Sequence, residues 1–446
     1  MKFVISVDAP SLGPRLSYVL DVLCAWYGWR WEPRSRTETA ASTRGRSVVT
    51  LSYGRGADPA SRKTDAGGVS VRPQGLLEAP PGSSACALRW ADYHGVPCPT
   101  GLDPLAGIFF CLGLLSEYDP DQTDAHGRQV SSAHPLVARG LATYPVADRL
   151  AAVLAQQLWA AAGYLGAPSP VPEASAATSD VDAPRALYGK SPPRRLAAVA
   201  RAAVATRGRT GGADWSPPAI RAWLRGRTDP FDTFEDMHAA ARSRGLPEDI
   251  FSLTGYATPE DPGFPADAPA WEQFWRKLPP TSRLGLHPSY HSATRPGLVA
   301  EELARLQCGS GREVVASRQH FLRISFPVTF RTLLECGIRE DHSLMWADRQ
   351  GFRAGTARSF PWYDLRREES TALRLVPPHA MDVTARYYER LSPKQAVEAW
   401  RRLAEECRAS GTALRCIWHN SNLGPWYGWW PWRAAYEASL DLSVIR

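Results

Sequence analysis

The sequence predicts an α/β protein in two parts. Strand-like and helix-like runs alternate from residue 283 to the end, while two strand-like runs and three apolar-faced helical runs occupy the first 166 residues. Between them lies APSPVPEASAATSD, residues 167–180, without periodicity and rich in Pro, Ala and Ser. Alternation of this kind implies a parallel sheet, open or closed into a barrel, with function at the carboxyl ends of the strands. The predicted division is a smaller α/β domain over residues 1–166, a linker over 167–178 and a second α/β domain over 179–446.

In the first region KFVIS and SVVTLS read as strands. PRLSYVLDVLCAWY, DPLAGIFFCLGLLSEY and VADRLAAVLAQQLWAAAGYL read as helices with broad apolar faces. No catalytic constellation stands out there, apart from a polar loop, DQTDAHGRQVSSAH. In the second region RLGLH leads into the helix RPGLVAEELARLQ, and REVVASR into FPVTFRTLLECG. HSLMWAD and TALRLV are further strands, and the helix SPKQAVEAWRRLAEECRASG leads into TALRCIWHN. That last helix has Ser392 as N-cap, Pro393 in its first turn and Gly411 past its end, which are strong start and stop signals.

Composition excludes several classes. The net charge of +7 comes from 52 Lys and Arg scattered among 45 acids, so no basic stripe marks a nucleic-acid partner. The N-terminus MKFVISVDAP has too short an apolar run for a signal peptide, and no run reaches membrane-spanning length, which predicts a cytoplasmic protein with no membrane span. The eight cysteines show no C-x-x-C pair or finger spacing and read as reduced core residues.

Four polar residues fall at predicted strand ends: His287, Arg318, Asp348 and His419. HPSYHS pairs His287 with His291; on a helix this spacing lets both imidazoles reach one ion, while the alternative is two surface or capping histidines. VDAP occurs twice, and the second copy carries Asp180 two places before Asp182. On an extended strand that pair points to one side, so one carboxylate could bind a metal and the other take a proton, whereas the bland reading is a solvated linker. Pattern alone favours Asp8, which follows a proper apolar strand. Arg318 reads equally as a carboxylate-steering group or a structural ion pair, and His419 as a general acid or a core histidine. The terminal WHNSNLGPWYGWWPW, with Trp418 and Trp426, reads as a sugar-stacking platform or a hydrophobic seal.

Taken in order, DVD at 180, HPSYHS at 287, SRQHF at 317, D-x-x-G-F-R-A-G-T at 348 and the late WHNS resemble the NodB-like polysaccharide deacetylases, carbohydrate esterase family four-like. The similarity is greatest to a divergent bacterial branch with an uncharacterised N-terminal domain, and it spans nearly the whole chain. It implies a distorted (β/α) barrel over the second domain and a hydrolase that removes acetyl groups from an N-acetylated sugar or glycan, with a divalent metal, zinc first and cobalt or nickel as alternatives. The resemblance makes Asp182, His287 and His291 the metal ligands, Asp180 the base, Arg318 its orienting arginine and His419 the general acid, tuned by Asp348. Trp418, Trp426, Tyr290 and Arg353 become substrate-binding candidates. Two departures stand out: Val181 separates the two aspartates, and Pro288 stands where Ser or Thr is usual. A rival from another class is a non-catalytic glycan-recognition or scaffold protein that keeps the barrel.

Overall fold

The computed structural model describes residues 2–34, 46–54, 68–80, 88–118, 122–206, 214–261 and 268–445. The first region holds a parallel sheet of β1 (Lys2–Asp8), β2 (Arg30–Pro33), β3 (Arg46–Tyr53) and β4 (Gly68–Val71), in the order β2-β1-β3-β4. A short antiparallel pair follows, β5 (Ala91–Tyr93) and β6 (Val96–Cys98). The helix Pro14–Tyr27 coincides with the predicted run and stops at Gly28, whose φ of 68° is the left-handed end that glycine tolerates best. The other two predicted helices form as Pro104–Leu112, capped by the Asp103 side chain, and Val146–Ala161. Asp8, the pattern's favourite, ends β1 in an exposed ion pair with Arg34 and takes no part in any site.

The second region is built on nine strands. They are β7 (Ala177–Val181), β8 (Glu248–Leu253), β9 (Arg283–His287), β10 (Ala316–Ser317), β11 (Glu340–Asp341), β12 (Phe360–Asp364), β13 (Glu369–Leu375), β14 (Ala380–Met381) and β15 (Cys416–His419). Their order is β12-β13-β11-β10-β9-β8-β7-β15-β14, parallel throughout except for the antiparallel β12/β13 pair. Among the described residues β12 and β14 are edges, so the sheet is open where a closed barrel was expected.

The sheet nevertheless curls. Arg318 follows β10, yet its guanidinium bonds to Thr178 and Asp180 on β7, three strands away. Flat strands spaced about 4.8 Å apart would put these strands about 14 Å from each other, beyond the reach of the side chain. Curvature therefore creates an interior, and the inward face of each strand lines it. Gly285 on β9 belongs to this arrangement, because a Cβ there would lie 2.5 Å from the Phe251 ring on β8. That ring in turn sits 4.2 Å under the Arg318 guanidinium.

Three local readings change. ATSDV is a strand buried at every position, between β15 and β8, because its Thr and Asp side chains meet a tertiary partner in place of water. HSLMWAD is not a strand: the Asp341 carboxylate accepts from the Ser343 N–H and hydroxyl at 3.0 and 2.9 Å, which turns the chain out of the sheet. Asp348 therefore lies in a loop and ends no strand. Of the cysteines, Cys86 lies outside the described residues; the other seven are free thiols, with Cys308 exposed. Among the described residues no helix is long and apolar enough to cross a membrane.

The two regions pack on one continuous apolar cluster that includes Leu20, Phe109 and Leu150 from the first and Phe330, Tyr363 and Leu375 from the second. A buried ion pair crosses the same contact. Arg353 donates to both Glu117 oxygens at 2.8 and 2.6 Å and to the Met345 carbonyl at 3.1 Å. All its reach is spent inside the protein, which corrects its reading as a substrate-binding residue. Burial alone would raise the Glu117 pKa, but the Arg353 charge and hydrogen bonds hold it below the ordinary value.

Glu117→Gln is expected to cost about 3–5 kcal/mol, because it leaves a buried guanidinium unpaired. Urea unfolding at neutral pH measures it. Since the folded-state pKa is depressed, the pair's contribution is present above the ordinary glutamate range and disappears as pH falls through the folded value, so the gap between wild type and variant should close in acid.

Candidate active site

β7 alternates, so Thr178 and Asp180 face the interior together. Arg318 donates to Asp180 Oδ1 at 2.7 Å, to Thr178 Oγ1 at 3.1 Å and to the His342 carbonyl at 3.1 Å. Both members of the ion pair are almost fully buried, at 1 and 3% side-chain exposure. A carboxylate held on one oxygen by a fixed guanidinium keeps its other oxygen oriented, and Asp180 Oδ2 faces His287 Nε2 at 3.9 Å.

One residue past β7, Asp182 stands with its carboxylate a third exposed and its Oδ1 buried. His287 Nε2 lies 3.4 Å from that Oδ1 and His320 Nε2 3.7 Å from it. These three ligand atoms all lie within 4.8 Å of one another. Each imidazole is held from behind: His287 Nδ1 bonds the Arg318 carbonyl at 2.5 Å and His320 Nδ1 the Asp261 carboxylate at 2.7 Å. Such partners fix the tautomer that leaves a lone pair on Nε2, as metal-ligating histidines require.

Asp182 Oδ1 and His287 Nε2 are both buried without a hydrogen-bond partner. Two acceptors facing each other at 3.4 Å call for a cation or a shared proton between them. Burial opposes the charge of Asp182, yet the neighbouring imidazoles, His320 first, hold its pKa well below the carboxylate range. Burial likewise opposes charge on His287, and Asp180 and Asp182 reverse that, raising its pKa. Two imidazole nitrogens and one carboxylate oxygen suit a zinc-like divalent cation and leave coordination positions open, so the donor set fits the expected group.

His419 ends β15, in register with Asp180 on β7. Its Nδ1 bonds Asp382 Oδ1 at 2.9 Å, and Asp382 Oδ2 also accepts from the His419 N–H at 3.0 Å and from Asn422 Nδ2 at 2.8 Å. Burial alone would lower this histidine's pKa. The Asp382 carboxylate outweighs burial, with Asp182 and Asp180 adding to it, and the value rises to about 10. A cavity of about 250 Å³ is shared by Asp180, Asp182, His287, His320 and His419, and is walled by Arg128, Gln319, Phe321, Tyr388 and Asn422.

The structure brings Asp180, Asp182, His287, Arg318 and His419 together and leaves out the other candidates. His291 is 39% exposed and lies 3.7 Å from Glu260. HPSYHS is not an α-helix: the backbone is extended at Ser289 and then makes a 3₁₀ turn over Tyr290–Ala293, so the two histidines do not share a helix face. His320 occupies the place expected for His291. Asp348 accepts from Ser131 at 2.9 Å, and Asp382 is the carboxylate behind His419. Trp418 is 1% exposed between Trp400 and Tyr436, and Trp426 is 2% exposed against Trp223 and Phe231, so neither offers a ring face to a sugar. Tyr290 bonds His126 Nδ1 at 3.0 Å under the Arg323 guanidinium. His320 stood in the quoted SRQHF but carried no pairing signal; Asp261 and Asp382 are single carboxylates whose partners lie 59 and 37 residues away.

The geometry is that of a possible metal site flanked by an arginine-held carboxylate and a carboxylate-backed histidine. The chain matches no protein-family model and no curated protein sequence. Among solved structures, a proposed polysaccharide deacetylase from Mycobacterium smegmatis is similar at a TM-score of 0.35 and 18% identity, over 61% of this chain and 87% of that one. Similarity at that level carries no argument about function.

His320→Ala should weaken Co²⁺ binding by at least the about 10- to 100-fold typical of lost second-layer contacts, while His291→Ala binds as wild type does; equilibrium dialysis distinguishes them. In chelator-treated protein, Asp382→Asn should lower the His419 pKa from about 10, read by histidine NMR titration. The sign follows from removing the anion that favours the imidazolium. In wild type the stability this pair contributes is full below the ordinary histidine value and fades as pH rises through about 10.

Proposed function

We propose that the protein is a metal-dependent hydrolase that removes an acetyl group from an N-acetylated sugar or glycan. The observation that carries this reading is the sharing of one cavity by three convergent ligand atoms, a fixed carboxylate and a second, protonated group. Amide hydrolysis needs those functions: activation of the carbonyl and water, a base for the attack and an acid for the leaving amine.

Asp182, His287 and His320 would hold the cation. When bound, it would polarise the acyl carbonyl and make the attacking water more acidic. Asp180 receives the proton of that water on Oδ2, since Oδ1 is occupied by Arg318. Arg318 keeps the carboxylate in place through the transfer, being itself fixed by Thr178, the His342 carbonyl and the Phe251 ring. His419 carries a proton at neutral pH and delivers it from Nε2 to the departing nitrogen, while Asp382 stays on Nδ1 and sets the ring's direction. Asn422 holds the other Asp382 oxygen, so the acid is oriented in the same two-layer manner as the ligands. The carbohydrate preference rests on the order of the sequence motifs. The cavity supports it with apolar surface from Phe321, Met381 and Val383 beside the polar Gln319, Ser421 and Asn422.

Acetate release from N-acetylhexosamine oligomers by the Zn²⁺- or Co²⁺-reconstituted protein is the test. Asp180→Asn and His419→Ala should each lower kcat by about 10²- to 10⁴-fold with little change in KM. Metal-loaded wild type that releases no acetate from any N-acetylated oligomer would sink the reading.

A further inference from the structure

We infer that Arg128, from the polar loop of the N-terminal region, is a positioning residue for the cation site. It acts by pinning the segment that carries His320. The inference rests on the cation reading proposed above.

The segment after His320 is held in an unfavourable conformation. Phe321 and Leu322 have φ of 59° and 53°, consecutive left-handed positions without a glycine. Such residues are costly and persist only where surrounding contacts impose them. The contacts come largely from loop 124–128. Arg128 Nη1 donates to the Phe321 carbonyl at 2.9 Å, Nη2 to the Tyr388 hydroxyl at 3.3 Å, and Nε to Asp124 at 2.8 Å. The Asp124 carboxylate closes its own turn by accepting from the His126 and Arg128 N–H groups at 2.8 and 3.0 Å.

A second contact runs the other way. Arg323, three residues past His320, donates to the His126 carbonyl at 2.7 Å and to the Tyr290 carbonyl at 2.6 Å, and the His126 ring lies 4.9 Å from the Phe321 ring. His320 therefore sits between Asp261, which holds its Nδ1, and a backbone held by the loop. Arg128 is 7% exposed and walls the same cavity as the three ligands. Through Tyr388 it also reaches the turn that follows Asp382, so one guanidinium joins the two sides of the cavity.

The test uses the full chain, stripped with chelator and titrated with Co²⁺, with the visible spectrum read at each addition. Arg128→Met keeps the apolar stem and removes every bond from the guanidinium; Arg128→Lys keeps the charge and room for one bond. Arg128→Met is expected to bind Co²⁺ about tenfold more weakly, with an altered ligand-field spectrum and a metal-free Tm close to wild type. Arg128→Lys should recover part of the affinity. His320→Ala sets the limit of the effect. If wild type binds Co²⁺ and both variants match it in affinity and spectrum, the inference is overturned while the cation reading stands. Wild type that binds no Co²⁺ overturns both. Should Arg128→Met not fold, Arg128→Lys decides alone: wild-type affinity and spectrum overturn the inference, and weaker binding supports it.

Discussion

The buried pair of Arg318 and Asp180 is the constraint on which the remaining site geometry depends. Taking both charges out of water costs several kcal/mol per ion, and the cost is recovered only when each is fully bonded. Arg318 meets that condition with Thr178, Asp180, the His342 carbonyl and the face of Phe251. Its own carbonyl accepts from His287 Nδ1, and its N–H donates to the Leu286 carbonyl. The same residue thus fixes the base through its guanidinium and one ligand's tautomer through its backbone. Gly285 on the neighbouring β9 makes this possible, since only without a Cβ can the Phe251 ring lie where the guanidinium needs it.

Charge balance in the interior favours a cation at this possible metal site. Four carboxylates, Asp180, Asp182, Asp261 and Asp382, converge on the cavity and its supports, and Arg318 is the permanent cation bonded among them. Arg128 adds little net charge because Asp124 is paired with it. His419 answers part of that negative field with a proton, its pKa raised to about 10, and Asp180 and Asp182 also raise the His287 pKa. A divalent ion held here by neutral imidazole would compete for the same negative field.

Much of the fold was legible because it rests on local signals. The helix Pro393–Ala409 begins at Ser392 with a capping box closed by Gln395, and RLGLH forms β9 with His287 at its end. The failures share one physical cause, dependence on partners distant in sequence. TSDV looked like linker because its polarity is balanced by Arg318, 138 residues away. His291 looked like a ligand because helical spacing was assumed where Ser289 is extended, the Ser289 hydroxyl and N–H being spent on Glu302. Asp382 sits behind a two-residue strand, too short to show any period. The tryptophans stand out in the sequence as a cluster, but aromatic content alone does not separate a seal from a platform.

Cavity size is a poor guide in this molecule, and polar satisfaction is a better one. A larger cavity, about 740 Å³, opens at the amino ends of β7, β8 and β9, away from the candidate ligands. Its charges are spent on each other: Glu173 takes Arg415 at 2.8 Å and Arg374 at 2.9 Å, and Arg283 takes Asp249 at 2.7 Å. Its unpartnered atoms, Arg358 Nε and His342 Nδ1, belong to side chains already bound elsewhere by other nitrogens. The smaller cavity is different in kind. There Asp182 Oδ1 and His287 Nε2 face each other without a hydrogen-bond partner, while the Arg318 carbonyl holds His287 from behind. Other buried side-chain atoms of the described residues also lack partners, but these two oppose each other at 3.4 Å beside the His320 imidazole, the geometry of a possible metal site.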